Sequence, residues 1–247
     1  MTHPLLRGSW LVRHAFALII FVTMISLGFW QLDRLAQRRT ANAERLAVLD
    51  QNPETLTGTV EQAESLVGRR VRVRGTYLSD QSLLLRGQTT ESGIVGVHLL
   101  TPLRIGGTEV AVMVDRGWLP TEQARPAARA AFAVERDVMI EGVALHGESR
   151  PNTLLAGMDL PMPGEQRIDA WLRVDLGKMQ AQINVPLLPV YVELLPSADG
   201  PRLPQPADPR LLSDGSHLSY ALQWFAFSLI LTIVYAALMR QELRRLA

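Results

Sequence analysis

The sequence contains no cysteine. Disulfides, thiolate-held metals, iron–sulfur clusters and covalent c-type haem attachment are therefore excluded. Lysine is almost absent as well: Lys178 stands alone among 25 basic side chains, and all the others are arginine. With 24 acidic residues the formal net charge is only +1. That balance has no basic patch of the kind that tracks a phosphate backbone, so no nucleic-acid partner is expected. Catalytic signatures are missing too. There is no G-x-S-x-G elbow, no P-loop, no H-E-x-x-H helix and no G-x-G-x-x-G turn. His3, His14 and His146 show no metal-ligand spacing with one another or with carboxylates. The sequence predicts a protein that is not an enzyme.

What the chain does have is apolar length at both ends. Hydrophobic residues make up 47% of the 247 positions, and the mean hydropathy is +0.09. The excess is concentrated in two runs. Residues 15–32 (AFALIIFVTMISLGFWQL) are uncharged and reach roughly 27 Å as a helix. Residues 218–239 (LSYALQWFAFSLILTIVYAALM) reach roughly 33 Å, against a bilayer core of about 30 Å. The first run ends in Phe29, Trp30 and Gln31 with no small-residue cleavage site, which favours a retained anchor over a signal peptide. Leu32, Leu35, Ala36, Ala43, Leu46 and Ala47 continue at helical spacing, so this helix should extend to about Asp50, before Asn52-Pro53.

Between the runs the pattern is that of strands. Arg70-Val71-Arg72-Val73-Arg74 alternates strictly, with the valines on one face and the arginines on the other. Further strands are expected over residues 82–86, 93–105, 109–118, 137–145, 171–175 and 190–195, with a turn at Gly106-Gly107. Residues 176–183 read as a short helix capped by Asp175 and ended before Pro186. His98 reads as a structural histidine, and Asp115-Arg116-Gly117-Trp118 as a turn ending its strand. Proline-rich connectors cover 151–163 and 201–209.

The expected class is a membrane α+β protein. Two transmembrane helices form a hairpin that flanks a mainly antiparallel β domain, sheet or small barrel, with short helices. Its expected divisions are a tail over 1–14, a first span over 15–32, the β domain over 51–216, a second span over 217–239 and a tail over 240–247. Two spans place both termini on one side. Arg240, Arg244 and Arg245 favour cytoplasmic termini, whereas Arg34, Arg38 and Arg39 favour the reverse. Long domains cross largely regardless of charge, so the tail decides: a cell-membrane protein with an extracytoplasmic central domain.

His217 stands at the mouth of the second span. At 100° per residue it shares a face with Tyr220, Ala221, Trp224, Ser228 and Tyr235, while Thr23, Ser26 and Trp30 share a face of the first span. That small polar face is expected to pack the two helices together. The first span leaves the membrane where the second enters, so Trp30 and Gln31 should lie level with His217. An imidazole there can ligate a metal, bind a flat ring, or sit in an interfacial aromatic belt.

Several stretches, in order, resemble the surfeit locus protein 1 family of cytochrome c oxidase assembly factors. They are Leu27-Gly28-Phe29-Trp30-Gln31-Leu32 with Arg34-Leu35, then Gly68-Arg69-Arg70-Val71 leading to Gly75-Thr76-Tyr77. Gly96-Val97-His98 with Leu100-Thr101-Pro102 follows, then Val114-Asp115-Arg116-Gly117-Trp118 with Pro120. His217-Leu218-Ser219-Tyr220-Ala221 with Trp224-Phe225 closes the set. The resemblance implies an assembly factor for the haem-copper oxidase that handles haem a for insertion into the catalytic subunit. It maps the family's proposed haem contact onto His217 and the first-span tryptophan onto Trp30. The family tends to carry asparagine where this chain has Ser216 and Asp115.

On that reading His217 is an axial ligand of haem iron. Trp30, Tyr220 and Trp224 contact the ring, and Gln31 or Arg34 meets a propionate. Partners implied are the oxidase catalytic subunit, haem a synthase and membrane lipid. The competing readings are a cofactor-free scaffold for oxidase subunits and a quinone-binding membrane protein.

Overall fold

The computed structural model describes residues 8–90, 92–148, 167–197 and 203–246. His3, the connector at 151–163 and the start of the one at 201–209 lie outside these residues. The chain divides into two compact units, Met1–Leu46 with Leu212–Ala247 and Ala47–Leu211.

The first unit rests on helices α1 (Gly8–Leu49, which runs on into the second unit) and α5 (His217–Leu246). Both are long and apolar enough to cross a membrane, and almost none of the side chains in either apolar stretch is buried. Phe16, Leu18, Ile19, Leu222, Leu229 and Ile233 each keep more than half of their surface exposed. A soluble core helix would hide such side chains; these present them to their surroundings.

In the second unit the strands are β1 (Glu54–Thr55), β2 (Arg70–Tyr77), β3 (Leu83–Thr89), β4 (Val95–Ile105), β5 (Ala111–Pro120), β6 (Asp137–His146), β7 (Ala170–Trp171) and β8 (Leu187–Leu194). Short helices α2 (Val60–Ser65), α3 (Pro126–Arg129) and α4 (Leu176–Met179) lie between them. The sheet order is β1-β2-β6-β8-β5-β4-β3-β7, and β2 also pairs with β4. That extra pairing, Gly75–Tyr77 against Leu103–Ile105, closes β2, β6, β8, β5 and β4 into a five-membered ring. An odd ring cannot alternate direction at every step, so at least one neighbouring pair must be parallel. That pair is β5–β8; the other four contacts of the ring are antiparallel. At the closure, a Cβ on Gly75 would run into the Arg104 carbonyl, so a glycine is what lets the strands meet there.

The alternation in β2 is used on both faces. Val71 and Val73 are fully buried with Leu103, Val112, Val114, Val190 and Val192 inside the ring. The arginines face out and find acids on β6: Arg70 and Arg72 both reach Glu141 at 2.6 Å, and Arg74 reaches Asp137 at 2.7 Å. Two expected features differ. Residues 115–118 continue β5 rather than turning, because Asp115 Oδ1 accepts the Gly117 N–H at 2.9 Å and Trp118 pairs with Gln205, with a register shift absorbed opposite His98–Leu100. The expected strand over 171–175 stops at Trp171, since Asp175 turns its carboxylate to the Lys178 N–H and caps α4. His98 follows its expected structural role: its Nδ1 donates to Asp115 Oδ2 at 2.8 Å.

Hydrogen bonds from Arg72 and Arg70, helped by their charge and opposed by partial burial, hold Glu141 below the usual carboxylate range. A depressed folded pKa adds stability that is present above the unfolded value and lost as pH falls through the folded one. Glu141→Gln should therefore cost at most about 1 kcal/mol at pH 7. Chemical denaturation of the two proteins should converge as pH falls below the ordinary carboxylate range and through the depressed pKa of Glu141.

Candidate functional site

Helix α5 meets α1 along a line spaced alternately by four and three residues: His217, Ala221, Trp224, Ser228, Leu231 and Tyr235. Ala221 and Ser228 are buried there, at 0% and 4% exposure. On α1 the Phe225 ring seats against Gly28, where an added Cβ would collide with it. Phe29 packs edge-on against the same ring, 5.5 Å between centroids. The small residues thus do what they do in membrane helix pairs, but Gly28, Ala221 and Ser228 serve rather than the expected face of α1. Thr23 and Ser26 are exposed; Thr23 returns its hydroxyl to the Ile19 carbonyl of its own helix.

Polar contacts flank this seam. At one end His217 Nδ1 donates to Gln31 Oε1 at 2.8 Å. Just beyond, Arg39 Nε reaches Asp214 Oδ2 at 2.8 Å and the Asn42 amide reaches the Ser213 carbonyl at 3.4 Å, fixing the segment that leads into α5. At the other end the His14 imidazole hydrogen-bonds the Tyr235 phenol, with Trp10 stacked beside His14 at 5.9 Å. The pairs step in opposite directions along the two helices.

The His217–Gln31 bond has a chemical consequence. With the amide oxygen as acceptor, the proton sits on Nδ1, and the Nε2 lone pair has no partner among the described residues. An imidazole held by its N–H and open at the other nitrogen is the arrangement of a histidine that ligates a metal.

The other expected site residues divide. Gln31 lies beside His217 as expected. Trp224 is half-buried on the seam, edge-on to Phe227 at 6.2 Å. Trp30 and Tyr220 are 47% and 50% exposed, so they flank the seam and do not line it. Tyr220 is off the line because it is three positions from His217, and the fourth, Ala221, takes the inward place. Arg34 is exposed; its guanidinium lies 5.4 Å over the Trp30 ring and donates to Gln37 at 2.9 Å. Sequence reasoning missed Gly28 opposite Phe225 and the His14–Tyr235 pair. The second was signalled by Tyr235 falling on the face of His217.

The native chain has no cysteine, so an introduced pair reports proximity cleanly. Gln31→Cys with His217→Cys should cross-link within one chain under mild oxidation, read by electrophoretic shift. Adding Gly28→Leu should reduce the yield several-fold by separating the helices. Equal yields with and without Gly28→Leu would contradict the close approach at Gly28.

The chain is 31% identical over 230 residues to a SURF1-like protein of Monosiga brevicollis, covering 89% of this chain and 85% of that one. A SURF1-like protein of Rickettsia felis is 27% identical, with 88% and 92% covered. Surfeit locus protein 1 of Takifugu rubripes is 24% identical, with 85% and 90% covered. The family model described as "SURF1 family" matches residues 18–229, a stretch that takes in most of α1, the first part of α5 with His217, and the whole strand ring. The chain belongs to the SURF1 family.

Proposed function

We propose that this protein is a non-enzymatic assembly factor for haem-copper cytochrome c oxidase, with haem a as its cargo and His217 as the contact to the iron. The observation that carries the reading is the state of His217: Nδ1 is tied to Gln31 and Nε2 is open. The donor set suits the group, since a neutral imidazole is a common axial ligand of haem iron. Gln31 holds the tautomer and aims the ring, the task a hydrogen-bond partner performs behind a metal-binding histidine. Trp224 on the seam and the exposed faces of Trp30 and Tyr220 offer flat apolar surface beside it. Arg34, stacked on Trp30, supplies a cation suited to a propionate.

The two apolar helices form a membrane hairpin on this reading, with the strand domain outside the cytoplasm and both termini inside. The oxidase catalytic subunit takes the cargo, haem a synthase supplies it, and the strand domain docks on the oxidase. Family membership supports the assembly role, and the open imidazole supports the haem contact.

Purified after co-expression with haem a synthesis, the wild-type chain should show a haem a spectrum. His217→Ala should lose it, and unchanged haem content in that variant would remove the ligand role. Gln31→Leu should keep the ligand but weaken haem retention by about 10–100-fold. Reporter fusions address the sidedness: a periplasm-active reporter placed near residue 150 should be active, and one at the C-terminus silent.

A further inference from the structure

The strand domain carries a cleft of about 620 Å³ lined by three arginines, Arg116, Arg129 and Arg167, and three acids, Asp80, Glu135 and Asp169. Arg116, on β5, lines it with only 6% of its surface exposed. Its Nη1 donates to the Phe132 carbonyl at 2.8 Å, and its guanidinium lies 4.8 Å over the Tyr77 ring. Among the described residues no carboxylate pairs with it, which is unusual for a buried cation. Among the described residues its remaining N–H groups have no acceptor and the Tyr77 hydroxyl, on a residue 7% exposed, has no partner, while both residues line the cleft. Burial pushes Tyr77 up to about 12, so the phenol keeps its proton, and burial also pulls Arg116 below its ordinary value.

The rest of the lining sets the character of an occupant. Leu99, Phe132 and Val134 give apolar wall beside Arg116 and Tyr77. Arg129 is committed to Asp169 through two contacts of 3.0 and 2.7 Å, and Arg167 donates to the Ser82 carbonyl at 3.0 Å. The unpaired acids of the lining, Asp80 and Glu135, are exposed to solvent, where water screens them. The structure thus offers a buried guanidinium edge and a phenolic O–H, both donors, against apolar surface. A guanidinium edge matches the two oxygens of a carboxylate, and clefts of this size hold small molecules.

We propose that this cleft is a binding site for a small apolar carboxylate, its oxygens on Arg116 and Tyr77 and its body on Leu99, Phe132 and Val134. It is separate from His217 and does not depend on the haem reading. The anion would give Arg116 the carboxylate that, among the described residues, the fold does not supply.

The test is calorimetric titration of the full-length protein in detergent, corrected against detergent alone, with 1-naphthoate, the neutral 1-naphthalenemethanol and inorganic phosphate. Naphthoate should bind at least about tenfold more tightly than the alcohol or phosphate. Arg116→Lys, which keeps the charge but loses the planar edge, should weaken naphthoate by about tenfold. Tyr77→Phe removes only the hydroxyl and should cost about threefold to tenfold while leaving the thermal midpoint close to wild type. His217→Ala should bind naphthoate as the wild type does. Equal affinity for acid and alcohol, phosphate binding as tightly as naphthoate, or full affinity in Tyr77→Phe would each overturn the assignment.

Discussion

The approach of α5 to α1 at Gly28 is the constraint on which the candidate site depends. Two helices carrying bulky side chains all round would stand apart, and His217 would then be one more residue at an interface. With the Phe225 ring seated on Gly28, and Ala221 and Ser228 buried on α5, the helices lie near enough for the imidazole of His217 to meet the Gln31 amide. The hydrogen bond fixes which nitrogen bears the proton, and thereby which is free. Packing of apolar groups thus decides a question of acid–base chemistry several residues away.

The strand domain obeys a different constraint, one of parity. Five strands in a ring require a parallel neighbour, and β5–β8 is it. Strand β5 is pinned on both edges, by β4 and β8, and it carries Asp115, Arg116 and Gly117 in consecutive positions. Asp115 is spent on His98 and the Gly117 amide, so it cannot neutralise the arginine next to it in sequence. Adjacent residues on a strand point to opposite faces, and the local ion pair that sequence proximity suggests does not form.

How much of this was legible in the sequence varied with the range of the signal. The two apolar runs, the alternation through Arg70–Arg74 and the cap at Asp175 are local, and the structure follows them: α1 ends at Leu49, β2 alternates, and Asp175 caps. Features set by distant partners were not legible. Residues 115–118 look like a turn until Gln205 arrives to pair with Trp118, and ring closure depends on β2 meeting β4. At the site, the nearness of His217 and Gln31 was readable in the sequence, since one ends the first apolar run and the other opens the second, and the two side chains do meet. The seam was not, because the face rich in Thr23 and Ser26 has the right composition, and only three-dimensional fit shows that Gly28 serves instead. The family resemblance, carried by short motifs along the chain, was readable and is matched over residues 18–229.

The polar pairs at the two ends of the seam act together as an index. His14 with Tyr235 and His217 with Gln31 are set a fixed number of turns apart on each helix. A slide by one turn, about 5.4 Å, would break both at once. Intermediate positions satisfy neither pair. The two pairs therefore favour one alignment of the helices, and the free nitrogen of His217 keeps one place at the end of the seam.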